Sequence, residues 1–163
     1  MGRRCRAARS SGQAERPADE AGGILTVDLS ALEANYKTLR STATPAECAA
    51  VVKADGYGLG LEPVAKQLAD VGCPAFFVAD LSEGKRLRKV ARHAAIYILN
   101  GLPQGTAQLF ADHKLRPVIG STAELAELLK HPNVWWRREA RRMIAERGDQ
   151  SAHPKMRTWL MTE

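Results

Sequence analysis

The segment of this 163-residue chain richest in chemical possibility is Val51-Val52-Lys53-Ala54-Asp55-Gly56-Tyr57-Gly58-Leu59-Gly60. A run of β-branched residues ends on a lysine, and a glycine-rich loop follows. Lysine amines add to carbonyl carbons to form imines, and they also hold anions. Ligands of parallel α/β folds bind at the carboxyl ends of strands, where this pattern puts Lys53. Glycines let backbone approach a ligand closely, and loop N–H groups beside a helix start favour an anion. Position alone also fits a solvated lysine before an ordinary turn. A nucleotide P-loop is excluded, because Lys53 precedes the glycines instead of ending them.

The elements that must position Lys53 are readable on either side. Apolar runs at Ile24–Leu29, Cys48–Val52, Ala75–Ala79, Ala95–Leu99 and Pro117–Ile119 are continuous, as expected of strands buried on both faces. Helical stretches lie between them. Ser30 with Glu33 predicts a capping box, followed by a face of Leu32, Tyr36, Leu39 and Ala43. Pro63 suits the first turn of a helix with Val64, Leu68 and Val71 on one face and Gly72 at its end. Ser82 is read as the cap of a helix bearing Leu87 and Val90. Ser121 with Glu124 predicts a second capping box before Leu125, Leu128 and Leu129. This alternation means βαβ units and a parallel sheet in residues 23–130. Periodicity is compatible with a doubly wound sheet and with a TIM barrel.

The ends have a different character. Residues 1–22 are rich in Arg, Ser and Gly and carry five Lys or Arg against three Asp or Glu. They are expected to be a disordered basic tail or to follow a misassigned start, since the acidic residues argue against a transit peptide. Residues 131–163 hold all three tryptophans, Trp135, Trp136 and Trp159, with Arg137, Arg138, Arg141 and Arg142 close together. A helix is possible over Trp136–Arg147. The stretch reads as a solvated terminal helix, or as out-of-frame translation or a fusion scar. Residues 1–22 and much of 131–163 are not expected to pack on the core.

The net charge of +6 invites a nucleic-acid reading, but residues 23–130 carry twelve basic against eleven acidic side chains. Nucleic-acid binding is therefore not expected. No apolar run approaches the roughly 18 residues that cross a membrane. Cys5, Cys48 and Cys73 are odd in number and widely spaced, which suggests neither a zinc site nor a disulfide framework. They suit a reducing cytoplasm.

At the lysine segment the residues carry a resemblance. VVKADGYGLG is similar to the cofactor-lysine signature of the alanine racemase family. ILTVDLSALEANYKTLR resembles the family's opening strand and first helix, and FFVADLSEGKRLR, IYILNGLPQGT and LRPVIGSTAELAEL resemble its next three βα units. The resemblance runs from about Ile24 to Leu129. Leu59 stands where many relatives have histidine.

The resemblance implies part of a TIM (β/α)8 barrel, about four βα units, in residues 23–130, with the first strand outside the barrel proper. It implies a pyridoxal 5'-phosphate (PLP) enzyme that interconverts L- and D-alanine and so supplies D-alanine for the cell wall. It makes Lys53 the catalytic Schiff-base lysine and Tyr57 a hydrogen-bond partner of the cofactor phosphate. It places Leu99 along the cofactor pocket. No metal is implied. Relatives are homodimers with a second, β domain. A tyrosine from the partner's second domain serves one face of the substrate, and arginines that come later hold its carboxylate and the cofactor ring. Residues 131–163 fall outside the resemblance. The chain is thus expected to be a truncated racemase, inactive alone. The rival is a non-catalytic PLP-binding fragment or a broken-gene product.

Overall fold

A computed structural model describes residues 4–6 and 25–147. The chain forms two compact units that divide between Ile98 and Leu99.

The first unit opens on a short antiparallel ribbon. β1 (Arg4–Arg6) pairs with β2 (Thr26–Asp28), Cys5 opposite Val27. The remainder of the expected basic tail, and Ile24 of the expected first strand, lie outside the described residues. α1 (Leu29–Ala43) follows, capped by Asp28 and not by Ser30 as expected. The Asp28 carboxylate accepts from the N–H groups of both Ser30 and Ala31. A carboxylate can take two such donors and also faces the positive end of the helix, so it displaces the hydroxyl two residues on. Of the expected apolar face, Tyr36 is buried and its hydroxyl donates to the Cys48 carbonyl at 2.9 Å, whereas Leu39 is 62% exposed.

Three parallel strands form the heart of this unit, in the order β3 (Ala50–Val51), β4 (Ala75–Val78), β5 (Ala95–Ile98). Register runs Ala50 to Phe76 and Phe76 to Ile96. The β4 and β5 side chains alternate instead of being buried on both faces. Phe76, Val78, Ile96 and Ile98 are sealed, while Phe77 and Tyr97 are partly exposed and stack at 4.8 Å. Apolar residues on both faces made these runs read as continuous. Between β3 and β4 lie α2 (Lys53–Tyr57) and α3 (Leu61–Asp70), whose Val64 and Leu68 are buried as expected. Gly72, at φ +84°, closes α3, with the Cys73 N–H returning to the Leu68 carbonyl. α4 (Leu81–Val90) connects β4 to β5 and buries Leu87. Its cap is Asp80, again a carboxylate two residues ahead of the expected serine.

The second unit contains α5 (Ala107–Asp112), β6 (Arg116–Pro117), α6 (Thr122–Leu129) and α7 (Val134–Arg147). Ser121 caps α6 as expected, and Leu125, Leu128 and Leu129 are buried. The stretch after residue 130 was expected not to pack. Its described part does: Trp136 is 7% exposed and Ala140 fully sealed, on a helix in contact with α6. A narrow stripe, Trp136-Ala140 and the partly covered Met143, is enough to seat an otherwise charged helix. Residues 148–163 lie outside the described residues.

In chain order, four strands of α/β type, β3 to β6, are each followed by a helix. No described helix is long and apolar enough to cross a membrane.

Candidate functional site

Lys53 stands where the sequence placed it, directly beyond the carboxyl end of its strand. The sheet pattern persists through Val52, whose N–H donates to the Phe77 carbonyl at 2.9 Å. The chain then turns left-handed. Ala54, Asp55 and Gly56 have φ of 52°, 54° and 65°, and Tyr57 has 56°. For L-residues this conformation costs about 1–2 kcal/mol each, so the surroundings must hold it.

Much of that hold comes from the turn's own amides. Gly56 N–H donates to the Val52 carbonyl, Gly58 to Ala54, Leu59 to Gly56 and Gly60 to Asp55. The Leu61 N–H, at the start of α3, donates to the Asp55 carboxylate at 3.2 Å. The expectation that this loop offers its N–H groups to an anion is therefore corrected. These five donors are already used inside the turn, and the helix start already faces a carboxylate.

Two further groups lock the turn from outside it. Glu83, only 8% exposed, accepts from the Asp55 N–H at 2.8 Å through one oxygen and from the Ala79 N–H at 2.9 Å through the other. Arg86, one turn further along α4, donates to Asp55 at 2.6 Å and to both oxygens of Glu62 at 2.7 Å. Its guanidinium holds both carboxyls below the usual carboxylate range, and they hold the guanidinium charged in return. The sequence reading missed Asp55, Glu62, Glu83 and Arg86. One signal was available: Asp80 and Glu83 share the spacing of a capping box.

Lys53 and Tyr57 themselves are left unengaged. They stand at the two ends of α2, Lys53 half-buried and Tyr57 62% exposed. Neither side chain makes a hydrogen bond or ion pair among the described residues. Leu99 belongs to the second unit, as the first residue after β5, and is 37% exposed. No cluster of three or more His, Cys, Asp or Glu able to hold a metal occurs among the described residues.

A braced turn that presents one free lysine amine and one free phenol suits a ligand carrying both a carbonyl carbon and an anionic group. Comparison with known proteins gives the family. Residues 27–146 match the family model described as alanine racemase, N-terminal domain, so the match runs through α7. An alanine racemase of Methylobacterium nodulans is 53% identical over 106 residues, 65% of this chain and 29% of that protein. A catabolic alanine racemase of Mesorhizobium japonicum is 49% identical over 64% of this chain and 28% of its own length. The solved alanine racemase of Bartonella henselae, with covalently bound pyridoxal phosphate, superposes with a TM-score of 0.59. It is 38% identical and covers 61% of this chain and 28% of its own. That of Corynebacterium glutamicum gives 0.61 at 30% identity, over 64% and 31%. The chain thus spans under a third of the length of these relatives.

Proposed function

Because this chain belongs to the alanine racemase family, with its fold that of the family's barrel domain, we propose that it carries the cofactor lysine of a PLP-dependent amino-acid racemase, and that this lysine is Lys53. The observation that carries the reading is the pairing of a half-buried, unengaged Lys53 with a rigid left-handed turn. The residues fit the group. Lys53 would hold it through its amine, and Tyr57 would donate to its phosphate. When bound, PLP withdraws electrons from a substrate's Cα so that the Cα proton can leave.

Lys53 is then the group that holds and returns that proton on one face of the substrate. Racemisation needs a second acid–base group on the opposite face. In this proposal that group, and the side chains that grip the substrate carboxylate, belong to the further length that the relatives have, the acid–base group coming from a partner subunit. The overall reaction is interconversion of L- and D-alanine, in the cytoplasm, feeding cell-wall synthesis. The 163-residue chain alone captures the cofactor and does not turn over alanine.

The test is incubation with PLP, borohydride reduction and peptide mapping. Label is expected to concentrate on Lys53 and to vanish from that peptide in Lys53→Ala. Even labelling of surface lysines, unchanged in Lys53→Ala, overturns the assignment. Lysine-dependent formation of D-alanine by the chain alone would overturn the need for outside residues.

A further inference from the structure

Glu83 is a buried carboxylate with no cation of its own among the described ion pairs, yet it sits on α4, far in sequence from Lys53. Its two oxygens divide between two strand ends. One takes the Asp55 N–H, the second amide after Lys53, and the other takes the Ala79 N–H, just beyond β4. β3 and β4 are neighbours, with Ala50 beside Phe76 and Val51 beside Phe77. Their pairing runs to Val51 and Phe77, with the Val52 N–H on the Phe77 carbonyl. A single carboxylate therefore spans the place where the ladder stops and the left-handed turn begins.

We propose that Glu83 is the positioning residue for Lys53. It fixes the Ala54–Asp55 peptide, one residue past the lysine, to the end of β4, and so restricts the direction in which the lysine side chain leaves the sheet. Arg86 ties the same turn, through the Asp55 carboxylate, to Glu62 of α3. The two ties differ in kind. Arg86 grips an Asp55 side chain that is 35% exposed, whereas Glu83 grips the backbone from a buried position. Backbone is what sets the Lys53 Cα–Cβ direction, so the weight falls on Glu83. It touches no reacting atom and acts only through Lys53.

This inference rests on the reading of Lys53 as the cofactor lysine, and its test separates the two. Glu83→Gln keeps the size but turns one acceptor into an N–H₂ facing a backbone N–H. Asp80→Ala removes the cap of the same helix while leaving both Glu83 acceptors in place, and serves as the control for a destabilised α4. In the full 163-residue chain, Glu83→Gln is expected to lower the Lys53 share of PLP–borohydride label about tenfold. Asp80→Ala is expected to keep that share despite its own loss of stability. The yield of Lys53 label against pH is expected to change shape in Glu83→Gln alone. Equal loss in both variants would make Glu83 a structural residue only and overturn the proposal. A second readout needs neither cofactor nor variant. The Asp55 and Ala79 amides of the wild-type chain are expected to exchange at least tenfold more slowly than an unbonded amide. If they exchange freely, the clamp does not exist. If the wild type shows protected amides but no preference for Lys53, the cofactor assignment has failed while the clamp stands.

Discussion

Glu83 and Glu124 occupy equivalent places in the two units of this chain. Each lies three residues beyond the cap of a helix that follows a strand, Asp80 for α4 and Ser121 for α6. Each turns its carboxylate back to accept the N–H of the residue just before that cap, Ala79 at 2.9 Å and Gly120 at 2.8 Å. Each also meets the loop after the preceding strand. Glu83 takes the Asp55 N–H there, whereas Glu124 lies so close to Gly101 that a Cβ at that position would collide with its carboxylate. The difference is in what the carboxylate does on arrival. At Gly101 it fills the space a side chain would need. At Asp55 it bonds, and the turn it bonds carries Lys53. The same helix-start device is a spacer in one unit and a brace in the other, and burial follows the use: Glu83 is sealed, Glu124 only half-buried.

The largest expected effect tests that contrast directly. Glu83→Gln leaves a buried N–H opposed by another donor, which costs about 2–3 kcal/mol. Glu124→Gln disturbs a bond that water can replace and is expected to cost under about 1 kcal/mol. Urea unfolding of the two variants measures both, and equal losses would break the comparison.

Gly101→Ala comes next. Gly101 has φ +77°, and its new Cβ would strike the Glu124 carboxyl group, so about 2 kcal/mol is expected from strain and overpacking together. Gly58→Ala has a similar φ, +82°, but open space around it, and should cost about 1 kcal/mol. Removing the collision with Glu124→Ala should rescue Gly101→Ala toward the Gly58→Ala value. Absence of rescue would mean that Glu124 is not what Gly101 makes room for.

How much of this could be read in the sequence depends on how local the cause was. Lys53 was legible because a lysine after a β-branched run and before glycines is a local pattern. The alternation of strands and helices was legible from periodicity, and so were the seals at Val64, Leu68, Leu87, Leu125 and Leu128. The caps of α1 and α4 were misread because two candidates, Asp and Ser, stood two residues apart, and only geometry shows that the carboxylate takes both amides. Leu39 fits the helical spacing but is 62% exposed, since periodicity marks a face and cannot say how wide its cover is. Glu83 was illegible as a brace for a different reason. Its partner at Asp55 is 28 residues away and becomes a neighbour only through the Ala50–Phe76 register. The left-handed turn was equally hidden, because Ala54 and Tyr57 are not residues that favour it, and Asp55 alone is a weak signal. Hence the loop's amides looked available for an anion when they are engaged in holding the turn.

A smaller effect is expected on acidification. Asp55 and Glu62 have their folded-state pKa lowered, first by hydrogen bonding to Arg86. A depressed carboxyl contributes stability that is present above its unfolded value, about 4 for Asp and Glu, and lost as pH falls through the lower folded value. All three side chains are about a third or more exposed, so solvent screening limits the cluster to about 1 kcal/mol. Stability should therefore be level from neutrality to about pH 4.5 and drop below that. Arg86→Leu should flatten the part of the drop that belongs to this cluster, while Glu124→Gln should leave it in place. Urea midpoints against pH decide it, and an Arg86→Leu curve parallel to wild type would remove the cluster from the brace.

The finest contrast separates the two caps. Asp80 accepts from the N–H groups of Ser82 and Glu83 and from the Ser82 hydroxyl, and the Glu83 N–H does most to hold its carboxyl below the usual carboxylate range. Ser121 accepts from one N–H, that of Glu124, at 3.2 Å. Loss of a cap costs about 0.5–2 kcal/mol, with charged and doubly bonded caps at the upper end. Asp80→Ala is therefore expected to cost about 1.5 kcal/mol and Ser121→Ala about 0.5 kcal/mol. The ordering follows from the brace. A glutamate that must hold a strained turn needs its own backbone fixed first, and Asp80 fixes it by taking the Glu83 N–H. Glu124 holds no such turn, so a weaker cap suffices. Amide exchange gives the site-specific reading: in Asp80→Ala the Ser82 and Glu83 amides should lose protection and the Asp55 amide should loosen with them, because the arm that reaches it has lost its anchor. That loosening should stay well below the loss in Glu83→Gln, where the acceptor itself is gone. In Ser121→Ala the loss should stop at Glu124. If it spread from Ser121→Ala to Gly101 as far as from Asp80→Ala to Asp55, the second junction would be a brace as well, and the distinction between the two glutamates would fail.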